Sequence, residues 1–118
     1  MRCFVDTNIL ISAGLDAKSL TAAALIKALT PPNVAIVSDY SLDEMRRVMN
    51  KKFPHKAREL EIFLERLLFN VEFVSTPADV HMSEAIVRDV EDRPILRAAI
   101  YAGVDVLITG DKDFWRVV

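Results

Sequence analysis

Short apolar runs alternate along the chain with longer stretches in which apolar residues recur at helical spacing. From Arg2 to Val5 the chain is apolar at Cys3, Phe4 and Val5, then turns polar at Asp6-Thr7-Asn8, which predicts a buried strand with a loop beginning at Asp6. Thr21 to Leu29 is rich in Ala and Leu and stops before Pro31-Pro32, predicting a helix and then a turn. Asn33 to Val37 gives a second strand. Ser41-Leu42-Asp43-Glu44 has the capping-box form, and Leu42, Met45, Val48 and Met49 continue at helical spacing, so a helix is predicted from Ser41. Pro54 separates it from a stretch in which Ala57, Leu60, Phe63, Leu64, Leu67 and Leu68 share one face, the second arm of a helical hairpin. Val71 to Val74 reads as a third strand, Asp79 to Val87 as a short helix, and Asp105 to Thr109 as a fourth strand. Between these last two, Pro94 to Ala102 reads as a helix with Pro at its start and Gly103 just past its end.

Short apolar strands separated by helices imply right-handed crossovers and a mostly parallel sheet covered on both faces, hence an α/β fold of three layers, an α/β/α sandwich. A length of 118 residues suits one domain with one continuous core, residues 1–118. The apolar stretches Thr21 to Ile26 and Ile62 to Val74 fall short of the ~18 uninterrupted apolar residues of a membrane helix. Asp6 and Asn8 interrupt any signal-peptide core. A cytoplasmic protein without a membrane partner is therefore expected. The single cysteine, Cys3, lies in an apolar strand and reads as a buried, inert thiol in a reducing compartment. Against 17 acids stand 15 Lys and Arg, a net charge of -2, which argues against gripping long duplex nucleic acid by charge alone and leaves brief contact with a single strand open.

In a parallel sheet ligands bind outside the carboxyl ends of the strands, near the point where strand order reverses. Acids recur there: Asp6 after the first strand, Asp39 after the second, and Asp111 and Asp113 after the fourth. Glu44 near the start of the following helix and Asp92 just before the Pro94 helix can point to the same edge. Carboxylates packed together repel one another unless a cation sits between them, and hard divalent ions such as Mg²⁺ or Mn²⁺ take oxygen ligands of this kind. Such a site suits phosphodiester hydrolysis. Asn8 can orient a carboxylate or a phosphate, and Thr109 can hydrogen-bond a water carried by the metal.

Each acid also has a structural explanation. Glu44 can complete a capping box with Ser41, Asp92 can cap the next helix, and Asp111 and Asp113 can be loop residues after a glycine. Asp6, at the end of a central strand, is hardest to explain without a partner. From Arg46 to Arg58 the chain carries six Lys and Arg, plus His55, and no acid. That run can guide RNA phosphates, Arg46 and Arg47 above all, or it can be an ordinary solvated helix face. His55 and His81 lack the pattern of a histidine-based nuclease, and one Cys does not make a zinc site. Phe114 and Trp115 can stack on a base or pack in the core.

Val5-Asp6-Thr7-Asn8-Ile9-Leu10, Glu44, Asp92 before Pro-Ile-Leu-Arg-Ala-Ala, and Thr109-Gly110-Asp111-Lys112-Asp113 together resemble the PIN-domain nucleases, in particular the VapC-like toxins of toxin–antitoxin pairs. The resemblance spans nearly the whole chain, and its order and structural contexts make the combination specific. It implies a metal-dependent endoribonuclease acting on single-stranded RNA, with Asp6, Glu44, Asp92 and Asp111 as metal ligands and catalytic acids and Asn8 and Asp113 in support. It also implies an antitoxin partner, a homodimer, and strand order 3-2-1-4-5, with Asp6 and Asp111 on adjacent strands. Relatives of this type run on for one more strand, so the last strand is expected to be missing and the domain truncated at Val118. Two other readings stay open: a phosphatase with Asp6 as nucleophile, although Asn8 stands where haloacid-dehalogenase-like enzymes carry a second Asp, and an inactive PIN-like module that binds RNA or an antitoxin.

Overall fold

The computed structural model of the chain describes residues 1–80, 87, 90 and 93–110. Strand β1 (Arg2–Val5) is central to a parallel sheet, and its side chains face the two sides in turn. Cys3 and Val5 enter one core cluster, and Phe4 enters the other, as the period-2 geometry of a strand requires. The described elements follow as α1 (Thr7–Leu15), α2 (Leu20–Leu29), β2 (Val34–Ser38), α3 (Asp39–Lys52), α4 (Ala57–Leu68), β3 (Glu72–Val74), α5 (Arg93–Tyr101) and β4 (Val106–Ile108). The strand order is β3-β2-β1-β4, matching the first four strands of the order 3-2-1-4-5. Cys3 pairs with Ala35 on one side and with Val106 on the other. Ile36 pairs with Glu72 in the outer ladder.

Three layers result. Helices α1 to α4 cover one face through Leu10, Leu25, Met45, Met49, Leu60 and Leu64, while α5 covers the other through Ile95, Leu96, Ala98 and Ala99 against Phe4 and Ile36. The Arg2 guanidinium donates to both Glu72 carboxylate oxygens, at 3.2 and 2.6 Å, and to the Ala102 carbonyl at 2.9 Å. This contact ties the end of α5 to β1 and β3, and it holds the Glu72 carboxyl below its ordinary range. Gly103, with φ of 63°, terminates α5 in the left-handed conformation that glycine adopts without penalty. Among the described residues no single helix is long and apolar enough to cross a membrane.

The largest departure from the sequence pattern is α1. A loop was expected from Asp6, yet a helix begins at Thr7. Asn, Ser, Gly and Ile are weak helix formers, and Thr7, Ile9, Leu10, Ile11 and Ala13 are all buried, so no polar stripe betrays the helical period. Tertiary packing stabilises the helix instead. The second strand is shifted by one residue, to Val34–Ser38. Of the short helix expected over Asp79 to Val87, Asp79 and Val80 are not helical, and apart from Val87 the rest lies outside the described residues. Residues 111–118, and with them the expected missing strand, also lie outside.

Gly14 is where α1 crosses α4. A Cβ there would come 2.8 Å from Leu60 Cδ2 and 3.0 Å from Phe63 Cδ1, and Leu60 is fully buried, so it cannot swing aside. Gly14→Val should therefore destabilise the domain by about 1–3 kcal/mol, the usual cost of overpacking. A urea midpoint equal to that of the parent chain would show that α1 and α4 separate more easily than this packing allows.

Candidate active site

The polar or charged residues buried in the described part of the chain are Asp6, Thr7, Ser38 and Ser41. All four lie where β1 and β2 end and α1 and α3 begin. Ser38 caps α3: its Oγ accepts the Ser41 N–H at 3.2 Å and donates to the Ser41 hydroxyl at 3.0 Å. The Thr7 hydroxyl donates to the Ser41 carbonyl at 3.4 Å, joining the first turns of α1 and α3. Two helix N-termini, each carrying partial positive charge, thus open toward one sheet edge.

Asp6 is 3% exposed. Its N–H donates to the Ile108 carbonyl at 3.0 Å, so the β1–β4 pairing continues up to this residue. Its Oδ1 accepts the Thr7 N–H at 2.7 Å, and its Oδ2 accepts the Thr109 hydroxyl at 2.7 Å. The carboxylate is therefore gripped by residues just beyond the ends of two adjacent strands, at the point where the order reverses between β1 and β4. Removing a carboxylate from water is costly. Here the loss is offset by two short hydrogen bonds and the α1 N-terminus.

Glu44 is half-buried in the second turn of α3. The capping-box explanation for it fails, because the helix starts at Asp39 rather than Ser41, its cap is Ser38, and the Ser41 N–H that Glu44 would have accepted is bound to Ser38 Oγ. Glu44 lies three positions after Ser41, so both occupy the same side of the helix, and Ser41 is the residue that Thr7 contacts.

Asp39 has a structural task. Its Oδ1 accepts the Tyr40 N–H at 2.8 Å, the Thr76 N–H at 2.8 Å and the Thr76 hydroxyl at 2.6 Å, fastening the segment after β3 to the start of α3. Burial raises the Asp39 pKa, but the Thr76 and Tyr40 hydrogen bonds outweigh it and hold the carboxyl below its ordinary value. A folded pKa below the unfolded one, about 3.9, contributes stability that is fully present above the unfolded value and lost as pH falls through the folded one. The melting-temperature advantage of the parent chain over Asp39→Asn should thus be level near neutrality and shrink on acidification below about pH 4. An advantage that grows on acidification would contradict this role.

Asn8 is exposed in the first turn of α1. Arg46 forms an exposed ion pair with Glu61 on α4 at 3.4 Å, and Arg47 is exposed beside it on α3. Asp92, Asp111 and Asp113 lie outside the described residues, as do His81, Phe114 and Trp115. Among the described residues no three His, Cys, Asp or Glu side chains form a group that could hold a metal. The buried hydroxyls of Thr7, Ser38 and Ser41 were not foreseen as part of the site. Ser38-Asp39-Tyr40-Ser41 has the spacing of a helix cap and could have signalled the true start of α3, whereas nothing in the sequence marks Thr7.

The family model for the PIN domain matches residues 2–113. The chain belongs to the PIN domain family. Its fold is shared with the VapBC2 structure from Rickettsia felis bound to a DNA fragment from their promoter, at a TM-score of 0.75 and 20% identity over 99% of this chain and 93% of that one. Mycobacterium tuberculosis VapC20, a Sarcin-Ricin loop cleaving toxin, superposes with a TM-score of 0.67 and 23% identity over 98% of this chain and 94% of the other. At these identities the likeness is one of fold. No curated protein sequence matches the chain. The PIN domain match includes Asp6 and Glu44 and runs on through Asp92, Asp111 and Asp113.

Proposed function

We propose that this PIN domain is an Mg²⁺- or Mn²⁺-dependent endoribonuclease that hydrolyses phosphodiester bonds of single-stranded RNA, and that it is the toxin of a toxin–antitoxin pair. The observation that carries this reading is the buried Asp6 carboxylate, held at the reversal of strand order by the Thr7 N–H and the Thr109 hydroxyl. Membership of the PIN domain family and a fold shared with a toxin that cleaves the Sarcin-Ricin loop support it. The VapBC2 likeness supports an antitoxin partner. A cytoplasmic location and a homodimer belong to the same proposal.

The donor set suits the cation. Asp6 and Glu44 offer carboxylate oxygens, as Asp92 and Asp111 would, and Mg²⁺ and Mn²⁺ prefer such hard ligands. When bound, the ion supplies Lewis-acid stabilisation of the phosphodiester and a water acidified for attack. The remaining work falls to the chain. Fixing both Asp6 oxygens orients the carboxylate before any ligand arrives, as outer hydrogen bonds do for metal ligands generally. Asn8, on the exposed first turn of α1, presents an amide that can hold a phosphate oxygen, and the N–H groups of that turn favour the same anion. Asp113 is assigned a supporting place, and Arg47 and Arg46 the approach of the RNA.

Cleavage of an end-labelled single-stranded RNA should require added Mg²⁺ or Mn²⁺, stop with EDTA and resume on restoring the metal. Hydrolysis indifferent to EDTA, or confined to phosphomonoesters, would overturn the proposal.

A further inference from the structure

From the Asp6 end, α1 runs beside the C-terminal half of α3, and the two enclose an open groove of about 380 Å³. Asn8 stands at its near end. Ile11 and Val48 line it further along, and Lys52 and Phe53 lie where α3 ends. One acid, Asp16, lines the far end, where its Oδ1 accepts the Lys18 N–H at 2.9 Å.

We propose that this groove receives the single-stranded RNA on one side of the scissile phosphate, with Lys52 in its lining and Lys56 in the turn just beyond it neutralising backbone phosphates and the exposed part of Phe53 stacking on a base. The inference rests on the ribonuclease reading and adds to it the path of the substrate. Continuity is its first support, since Asn8 is two residues from Asp6 and belongs to the helix that Asp6 caps. Charge is the second. The chain as a whole is at -2, yet residues 46–58 carry six Lys and Arg and no acid, so the local sign is opposite to that of the molecule.

Helix electrostatics account for only part of that run. Lys51 and Lys52, in the last turn of α3, complement its negative end, which is a sufficient structural reason for those two. Lys56 and Arg58 sit at the opposite kind of position, the start of α4, where a cation opposes the helix dipole. Lys56 is the cap residue there and makes no side-chain capping bond. Positive charge at that point works against the helix and suits an anionic ligand. The Lys56 N–H donates to the Phe53 carbonyl at 2.9 Å, so Lys52 and Lys56 flank in sequence a turn whose aromatic residue, Phe53, packs partly against the core and is partly exposed. Stacking platforms flanked by cations are how single strands are held without sequence preference.

The test is fluorescence anisotropy with a short labelled single-stranded RNA across a series of salt concentrations, in chelator so that binding is read without cleavage. For single strands the slope of log K against log salt falls by about 0.7 per phosphate contact removed. Lys52→Gln/Lys56→Gln, both exposed positions, should therefore flatten the slope by about 1.4. Phe53→Leu should raise Kd by about 5- to 100-fold, the worth of one stacked base, with the slope unchanged. Affinity and slope in the lysine variant equal to the parent's would overturn the groove even if the parent cleaves RNA. Normal groove-dependent binding by a chain that cleaves no RNA under any metal would sustain the groove and sink the ribonuclease reading.

Discussion

Asp6→Asn is expected to lower RNA cleavage by roughly two to four orders of magnitude, the equivalent of several kcal/mol of lost transition-state stabilisation, while leaving the fold intact. The substitution separates the capping of α1 by Asp6 from its proposed role as a metal ligand. Asparagine caps a helix about as well as aspartate, and its amide oxygen can still accept the Thr7 N–H. Its amide nitrogen would face the Thr109 hydroxyl, which can turn from donor to acceptor. Stability should therefore change by no more than about 1 kcal/mol, the net worth of one hydrogen bond. A neutral amide is nonetheless a poor ligand for a hard divalent ion. If Asp6 served only to cap α1, the variant would cleave RNA as the parent does. Full activity together with an unchanged urea midpoint would assign Asp6 to architecture.

Phe4→Ala should cost about 3–5 kcal/mol, the range for emptying a fully buried aromatic site. Phe4 is 0% exposed and is the β1 residue in the cluster with Ile36, Val87, Ile95, Leu96, Ala98 and Ala99. With α5 the described helix on that face, few side chains can move in to fill the void. A domain of this kind is stable by about 5–15 kcal/mol in total, so the variant should unfold at a much lower urea concentration, with a similar m-value if it still folds in two states. The loss should reach the site, because Asp6 directly follows β1. A shift below about 1 kcal/mol, outside the range of large-to-small core changes, would mean that α5 is not the layer that this packing makes it.

What could be read from the sequence follows from which residues report their own surroundings. The strands were legible because Cys3-Phe4-Val5 and Ala35-Ile36-Val37 are continuous apolar runs ended by polar residues, the form of strands buried on both faces. Helix α4 was legible because its apolar face and its charged face differ sharply. Helix α1 was not, since all of its buried residues face other elements and its Asn, Ser and Gly argue locally against a helix. The start of α3 was misplaced because Ser41-x-x-Glu44 imitates a capping box while the true cap is Ser38, whose preference for the Ser41 N–H depends on where β2 ends. That displacement bears directly on the site, because it removes the capping-box explanation for Glu44. Asp39 went the other way: its sequence position matches that of a ligand, and only the Thr76 contacts, between residues 37 positions apart, reveal a fastening. The grip of Thr109 on Asp6 spans 103 positions. No local pattern reports a hydrogen bond over that distance.

If Asp6 holds a divalent cation together with Glu44, as proposed, calorimetric titration of the full chain with Mn²⁺ reads it without reference to any substrate. The parent chain should bind Mn²⁺ stoichiometrically, Asp6→Asn should abolish the heat of binding, and Glu44→Gln should weaken it by tenfold or more, the effect of about 1.4 kcal/mol. Stoichiometric Mn²⁺ binding of undiminished affinity in Asp6→Asn would rule out Asp6 as a ligand of the ion.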